Sequence, residues 1–323
     1  MSTFEVDHLS LHYLTRFGQK VHAVSDVSFT MEKGEILGIA GESGCGKSTL
    51  VNGLMGLFIP PLYPTSGDVR VNGESLMNRT PSEIRKNVLS RKVSMIPQGA
   101  FNALNPTRRV KDIAADVIAA HETVSNRKEI DQRLRDRFDL FGMDTDKVLN
   151  AFPIQLTAGE RQRSVIGIST LLNPQMVIAD EPTSALDVST QKVVIKMIFD
   201  LLDKGIFSTM IFITHELPLL RHVATNIAIM YAGEIVEKGT TEQIVFDPRH
   251  PYTQALMGAM LSAEAGQRQK KPMAIEGAPP NLAKPISGCR FAARCPVARP
   301  ECKLRDQVIR EVGGRQVRCE HAK

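Results

Sequence analysis

The sequence predicts an α/β fold on three observations. Ile36–Ala40 (ILGIA) is an apolar run that reads as a buried strand, and it leads through GESGCGKST into the helix-compatible LVNGLMGL. A second apolar run, Met176 to Ala179, ends in two adjacent carboxylates, Asp180 and Glu181. Between the two runs, residues 108–150 repeat apolar side chains at spacings of three and four, the period of a helix. Strand, glycine-rich loop and helix in that order are the context in which such a loop binds phosphate. Gly41, Gly44 and Gly46, with Ser43 among them, let backbone N–H groups turn toward phosphate oxygens because no Cβ intervenes. The helix starting near Lys47 aims its positive dipole end at the same anion. Lys47 would reach the β- and γ-phosphates, Ser48 would hold Mg²⁺ through its hydroxyl, and Thr49 completes the loop. A Gly/Ser turn that merely precedes a lysine needs neither flanking element. The stretch implies binding of a nucleoside triphosphate.

The remaining elements follow in chain order. Residues 4–38 alternate apolar runs with turns (FEVDHLSLHYL, VHAVSDVSFTM, EKGE), predicting antiparallel strands joined by hairpins. Tyr13, or Phe17, is placed to stack on a purine, a core role for both being the alternative. GDVRVNGES predicts two short strands around Asn72-Gly73, a type I′ turn signal. Val93–Gly99 reads as a strand ending at Gln98, positioned as a sensor of γ-phosphate or Mg²⁺. Residues 108–150 read as a helical insertion, followed by QLTAGERQRS and NPQMVIADEPTSALD. Asp180 would order the Mg²⁺ shell and Glu181 would polarise the attacking water. A helix around Thr190 to Asp203 and a strand, FSTMIFIT, lead to His215, at the strand end where α/β sheets bind ligands. NIAIMYAGEIVEKGT predicts a hairpin across Ala232-Gly233, and DPRHPYTQALMGAM opens a closing helix.

A chain of 323 residues accommodates one large core with a small appended module. The first residues, MSTFEVDHLS, carry acids and no apolar stretch, so no signal peptide is expected. The longest uncharged run, Ser48 to Gly67, is broken by Pro60, Pro61 and Pro64 and is not a membrane span. The net charge of +5 is unevenly spread. Residues 266–323 hold thirteen Lys/Arg against five Asp/Glu, so the remainder of the chain is acidic. Four of the five cysteines lie in the same basic tail.

Taken in order, GESGCGKST, Gln98, LTAGE, VIADE, SALD and His215 resemble the motifs of the ATP-binding subunit of an ABC transporter, over Phe4 to about Leu261. The resemblance implies a P-loop ABC ATPase fold: a RecA-like core, an antiparallel β subdomain and a helical subdomain over about residues 100–165. It implies a nucleotide-binding domain over 1–250 and a Cys-rich C-terminal extension over 251–323. ATP and Mg²⁺ are the implied cofactors, with Gln98 as the Q-loop residue, Ser184 to Asp187 as the D-loop and His215 contacting the γ-phosphate. Such subunits work in pairs, each ATP lying between one chain's phosphate loop and the other's signature, so Thr157 and Gly159 would serve the partner's nucleotide. RHPYTQAL (Arg249 to Leu256), GCRFAARCP and ALNP (Ala103 to Pro106) resemble the oligopeptide/dipeptide/nickel importer branch. That branch implies ATP hydrolysis coupled to uptake of peptides or a related solute, from the cytoplasmic face of the cell membrane. Its partners would be a second, different ATPase subunit, two transmembrane permeases and an extracytoplasmic solute-binding protein, with no nucleic acid.

The signature departs from the family's usual LSGGQ: it is LTAGE here. Thr157 keeps a hydroxyl, whereas the methyl of Ala158 stands where a backbone must approach phosphate, which suggests an unequal pair. The competing reading is an ABC-type ATPase of nucleic-acid metabolism with a zinc-bearing basic tail. A single ATPase unit, the lack of a long heptad insertion and RHPYTQAL weigh against it. A small-molecule P-loop kinase leaves LTAGE and the D-loop unexplained.

Cys289, Cys295, Cys302 and Cys319 are separated by five, six and sixteen residues, and only Cys45 precedes them. Four thiols on one small module suggest a metal, with zinc and iron–sulfur both open. None of the gaps is as short as the C-x₂₋₄-C of a structural zinc site. A [4Fe–4S] cluster tolerates longer gaps, and Pro296 directly after Cys295 is a Cys-Pro pair of the ferredoxin kind. The four-thiolate cluster is an anion, and Arg290, Arg294, Arg299, Arg305 and Arg318, close to the ligands in sequence, would balance it. The importer resemblance points the same way, to a structural [4Fe–4S] cluster with no part in ATP chemistry.

Overall fold

The computed structural model describes residues 3–99, 103–123, 126–184, 186–261 and 275–322. In chain order its elements are β1 (Phe4–Leu14), β2 (Lys20–Met31), β3 (Ile36–Ala40), α1 (Lys47–Leu54), β4 (Leu62–Val71), β5 (Glu74–Ser75), β6 (Val93–Ile96), α2 (Val110–His121) and α3 (Arg127–Phe138). They continue as α4 (Thr145–Asn150), α5 (Ala158–Ser169), β7 (Met176–Asp180), α6 (Val188–Asp203), β8 (Thr209–Ile213), α7 (Leu217–Val223), β9 (Asn226–Tyr231) and β10 (Glu234–Thr240). The chain closes with α8 (Thr241–Phe246), α9 (Pro251–Leu261), β11 (Arg310–Glu311) and β12 (Gln316–Val317). Contacts divide it into two compact units, Met1–Met77 with Phe212–Lys323, and Asn78–Ile211. Among the described residues no helix is long and apolar enough to cross a membrane.

The first unit holds an antiparallel sheet in the order β2-β1-β4-β5. Asn72 and Gly73 both have positive φ, 49° and 79°, which is the type I′ geometry their sequence predicts. Strand β4 begins earlier than GDVRV suggested, because Leu62 already pairs with Tyr13. Pro64 is tolerated inside it where the β1–β4 register shifts, and only Arg70 and Val71 of β4 pair with β5, so its missing donor leaves no ladder bond unmade. The same unit carries strands in the order β11-β12-β10-β9-β3, with β3 and β9 parallel and β9–β10 turning at Ala232 and Gly233, both at positive φ. The tail therefore does not stand apart. Val317 pairs with Glu237, so β12 adds a strand to β10 and covers an edge that would otherwise expose unpaired N–H and C=O groups.

The second unit pairs β6 and β7 in parallel, Val93 against Met176 through Ile96 against Ala179. Helix α2 buries Val110, Ala114 and Ile118, one stripe at helical spacing, and α3 buries Leu134 and Phe138. The helical region runs on through α5 to Ser169. Residues 100–102 of the loop after Gln98, and Ala185 of the expected D-loop, lie outside the described residues.

Candidate functional site

In the first unit the strand–loop–helix forms as the sequence predicts: β3 is buried throughout, and α1 starts at Lys47. Lys47 turns its ammonium back onto the loop, donating to the carbonyls of Gly41 (2.8 Å) and Glu42 (3.0 Å). Two loop glycines are required by packing as well as by phosphate. A Cβ on Gly41 would lie 2.1 Å from the carbonyl oxygen of Met230, and one on Gly46, at φ +110°, would lie 2.3 Å from that of Ala23. Ser43, Gly44 and Ser48 are exposed, while Thr49 is buried and lies 3.2 Å from the hydroxyl of Tyr13. Tyr13 is half-buried beside the start of α1, and Phe17, the alternative, is 98% exposed. Thr214 donates to the carbonyl of Ile39 (3.4 Å), so the exposed His215 leaves its strand at the end of β3 from which the loop springs.

Gln98, Asp180, Glu181, Thr157 and Gly159 belong to the second unit. Asp180 closes β7 at 8% exposure, and the next residue, Glu181, adopts φ +47°. Gln98 donates through Nε2 to the Glu181 carboxylate at 2.7 Å, so the two residues expected from the sequence as sensor and base are in contact. In the signature, Thr157 is the N-cap of α5 in a closed capping box: it accepts from the Glu160 N–H, and Glu160 accepts from the Thr157 N–H (2.9 Å) and hydroxyl (2.9 Å). Lys147 adds an ion pair at 2.9 Å. That ammonium first, and the Thr157 N–H next, hold the Glu160 carboxyl down to about 2. A Cβ on Gly159 would meet Thr190 of α6 at 2.9 Å, so glycine lets the signature approach the helix that follows the D-loop. Asp187 caps α6 through Ser189 and Thr190, and those donors hold its carboxyl well below the usual range.

The four tail cysteines converge. Cys289, Cys295, Cys302 and Cys319 line one cavity, together with His250, Phe291 and His321. Burial, and the charges that the other three thiols would carry, push Cys289 up to about 11, with the N–H of Phe291 opposing. A cavity lined by four thiols, the soft donors that zinc and iron–sulfur groups take, fits a metal group. Three of the five arginines expected as balancing charges, Arg290, Arg294 and Arg318, are engaged by carboxylates instead. Arg290 pairs with Glu234 (3.0 Å), Arg294 with Glu42 (2.7 Å), Arg318 with Asp26 (3.0 Å) and Arg315 with Asp247 (2.9 Å), all carboxylates outside the tail. The basic tail and acidic body are thus complementary surfaces of one unit.

Several contacts escaped the sequence reading. Glu237, fully buried, accepts from the backbone N–H groups of Arg249 (2.8 Å) and His250 (2.9 Å), which explains why RHPY begins the closing helix there. The Tyr252 hydroxyl accepts from the Glu42 N–H at 3.0 Å, tying that helix to the phosphate loop. The only signal available for either was the motif itself, whose partners lie twelve or thirteen and some two hundred residues away.

The chain matches the family described as ABC transporter over residues 24–184, and the oligopeptide/dipeptide transporter C-terminal region over residues 236–302. It is 39% identical to the oligopeptide transport ATP-binding protein OppD of Bacillus subtilis (strain 168), covering 90% of this chain and 80% of that protein. It is 35% identical to the dipeptide transport ATP-binding protein DppD of Caldanaerobacter subterraneus subsp. tengcongensis, covering 97% and 95%. In shape it resembles the dimeric structure of a bacterial ABC transporter cassette, with a TM-score of 0.64 at 23% identity over 74% of this chain and 98% of that one.

Proposed function

Because this chain belongs to the ABC transporter family, in its oligopeptide/dipeptide branch, we propose that it is the ATP-binding and ATP-hydrolysing subunit of a membrane importer of peptides. The observation that carries the reading is the joining, in one compact unit, of the phosphate loop and the branch's C-terminal region. ATP is held by Gly41, Ser43, Gly44, Gly46, Lys47, Ser48 and Thr49, with Tyr13 against the base. Ser48, Gln98 and Asp180 are the Mg²⁺ ligands, directly or through water, Glu181 is the general base and His215 contacts the γ-phosphate. Thr157 and Gly159 serve a second ATPase subunit's nucleotide, and the assembly is completed by two permeases and a solute-binding protein at the membrane. Residues 1–250 form the ATPase domain, with its helical part over about 100–165, and 251–323 the extension.

Within this reading the four cysteines hold a [4Fe–4S] cluster, which when bound supplies iron–thiolate bonds tying 289, 295, 302 and 319 together. Zinc is the alternative for the same thiols. The nucleic-acid reading is not favoured, since the tail arginines named above are engaged by the protein's own carboxylates. The test is reconstitution with the neighbouring permeases, second ATPase and binding protein in liposomes. ATP-dependent uptake of a labelled peptide supports the reading. Nuclease-sensitive co-purification of nucleic acid without permeases would overturn it.

A further inference from the structure

The phosphate loop of this chain contains an acid, Glu42, at a place where negative charge opposes nucleotide binding. A carboxylate in a loop that gathers triphosphate repels the ligand unless something neutralises it. Here Arg294 does so from the cysteine-bearing tail, 252 residues away in sequence. Its guanidinium grips Glu42 with both arms, at 2.7 and 2.9 Å, and its side chain is 5% exposed. The fork is itself held: Arg294 donates to the carbonyls of Ile275 and Glu276 and lies over the ring of Tyr231, 5.7 Å from its centroid. The backbone of Glu42 is engaged on the same side, its N–H spent on the Tyr252 hydroxyl. The charge of this loop residue is therefore turned toward the tail, and its N–H toward the closing helix α9.

We propose that Arg294 is a positioning residue for the phosphate loop: by binding Glu42 in a two-armed ion pair it keeps that carboxylate neutralised and away from ATP, so that the cysteine-bearing tail sets the nucleotide affinity of the ATPase. The inference rests on the reading that the loop binds ATP, and it assigns to the tail a part in nucleotide binding beyond its own folding. In Arg294→Gln the freed carboxylate repels the triphosphate, and the expected loss is about tenfold in ATP affinity, equivalent to about 1.4 kcal/mol.

The experiment measures ATP dissociation constants on the full chain, purified without oxygen, for wild type, Arg294→Gln, Glu42→Gln and the double variant, with metal content determined on each sample. The expected result is about tenfold weaker binding in Arg294→Gln, and binding in the Glu42→Gln background that does not depend on whether residue 294 is Arg or Gln. Arg318→Gln, which loosens the tail at Asp26 rather than at the loop, serves as the control and should leave ATP binding where it was. In assembled transporter Arg294→Gln should raise the KM for ATP and leave kcat near its wild-type value, whereas loss of folded protein lowers kcat alone. Wild-type affinity in Arg294→Gln overturns the proposal. So does a loss that persists in the Glu42→Gln background, or an equal loss in Arg318→Gln, since each makes the effect one of general tail disruption. Failure of the wild-type chain to bind ATP at all would instead overturn the nucleotide reading itself.

Discussion

Glu181 sits at φ +47°, a backbone region that costs a non-glycine residue about 1–2 kcal/mol. Strain of this kind is found at sites where a side chain must be aimed. Here the side chain is aimed at Gln98, whose Nε2 donates to it at 2.7 Å. Glu181→Gln keeps shape and an acceptor for Gln98 but loses basicity, so ATP binding should persist while turnover stops and the assembled pair stays closed on ATP. Lys47→Ala should instead lose nucleotide affinity. Both are read by ATP binding and single-turnover hydrolysis in assembled transporter whose other ATPase carries the equivalent carboxylate change. Wild-type hydrolysis in the Gln variant would remove Glu181 from the mechanism.

At the scale of elements, helix α5 shows how a departure from the family pattern is absorbed. Where the sequence of the signature ends in Glu160, the structure uses that carboxylate to close a capping box on Thr157 and to pair with Lys147. The Thr157 hydroxyl is thereby engaged by its own helix. Removing the box in Glu160→Ala should cost about 1 kcal/mol at pH 7. For a chain of this size that lowers Tm by roughly 2 °C. The pH dependence has a definite sign. The folded-state pKa of Glu160, about 2, lies below the ordinary carboxylate value, so its contribution is complete above about pH 4.3 and is lost as pH falls from there toward 2. The difference in Tm between wild type and Glu160→Ala should therefore be largest near neutrality and shrink below pH 4. A difference that stays constant down to pH 3 would show that the carboxylate's charge contributes nothing.

Over the whole molecule, the tail is bound to the rest of its unit in three ways. β12 extends the sheet at β10, arginines meet carboxylates of the acidic body, and Phe291 packs in an aromatic cluster with Tyr231 and Tyr252. The cysteine cavity opens directly beside this cluster, sharing Phe291. Loss of the cluster proposed for the cysteines should thus loosen more than the last residues. Protein purified without oxygen should be brown, absorb broadly near about 400 nm and contain roughly four irons per chain. Cys302→Ser, at the most buried of the four cysteine residues, should lose that iron and lower Tm. Colourless protein with one zinc per chain would replace the cluster with a simple metal site.

The local part of this protein is legible in its sequence. The phosphate loop, the Asn72-Gly73 and Ala232-Gly233 turns, strand β7 with its terminal acids and the helical insertion are written in neighbouring residues, because glycine freedom, apolar period and turn chemistry act over a few positions. Cys289, Cys295, Cys302 and Cys319 could be suspected of meeting, since rare residues clustered in one tail have few other reasons to be there. What the sequence did not disclose were pairings across long separations. An arginine near a cysteine reads as a counter-charge to a cluster, and only the packed chain shows Arg294 reaching Glu42, 252 residues away. Likewise nothing local marks Glu237 as a buried acceptor for the RHPY backbone, or β10 as an edge waiting for β12. Charge and hydrogen-bond capacity are properties of single residues, but the partner that satisfies them is chosen by the fold, which brings distant segments within 3 Å and excludes the water that would otherwise serve.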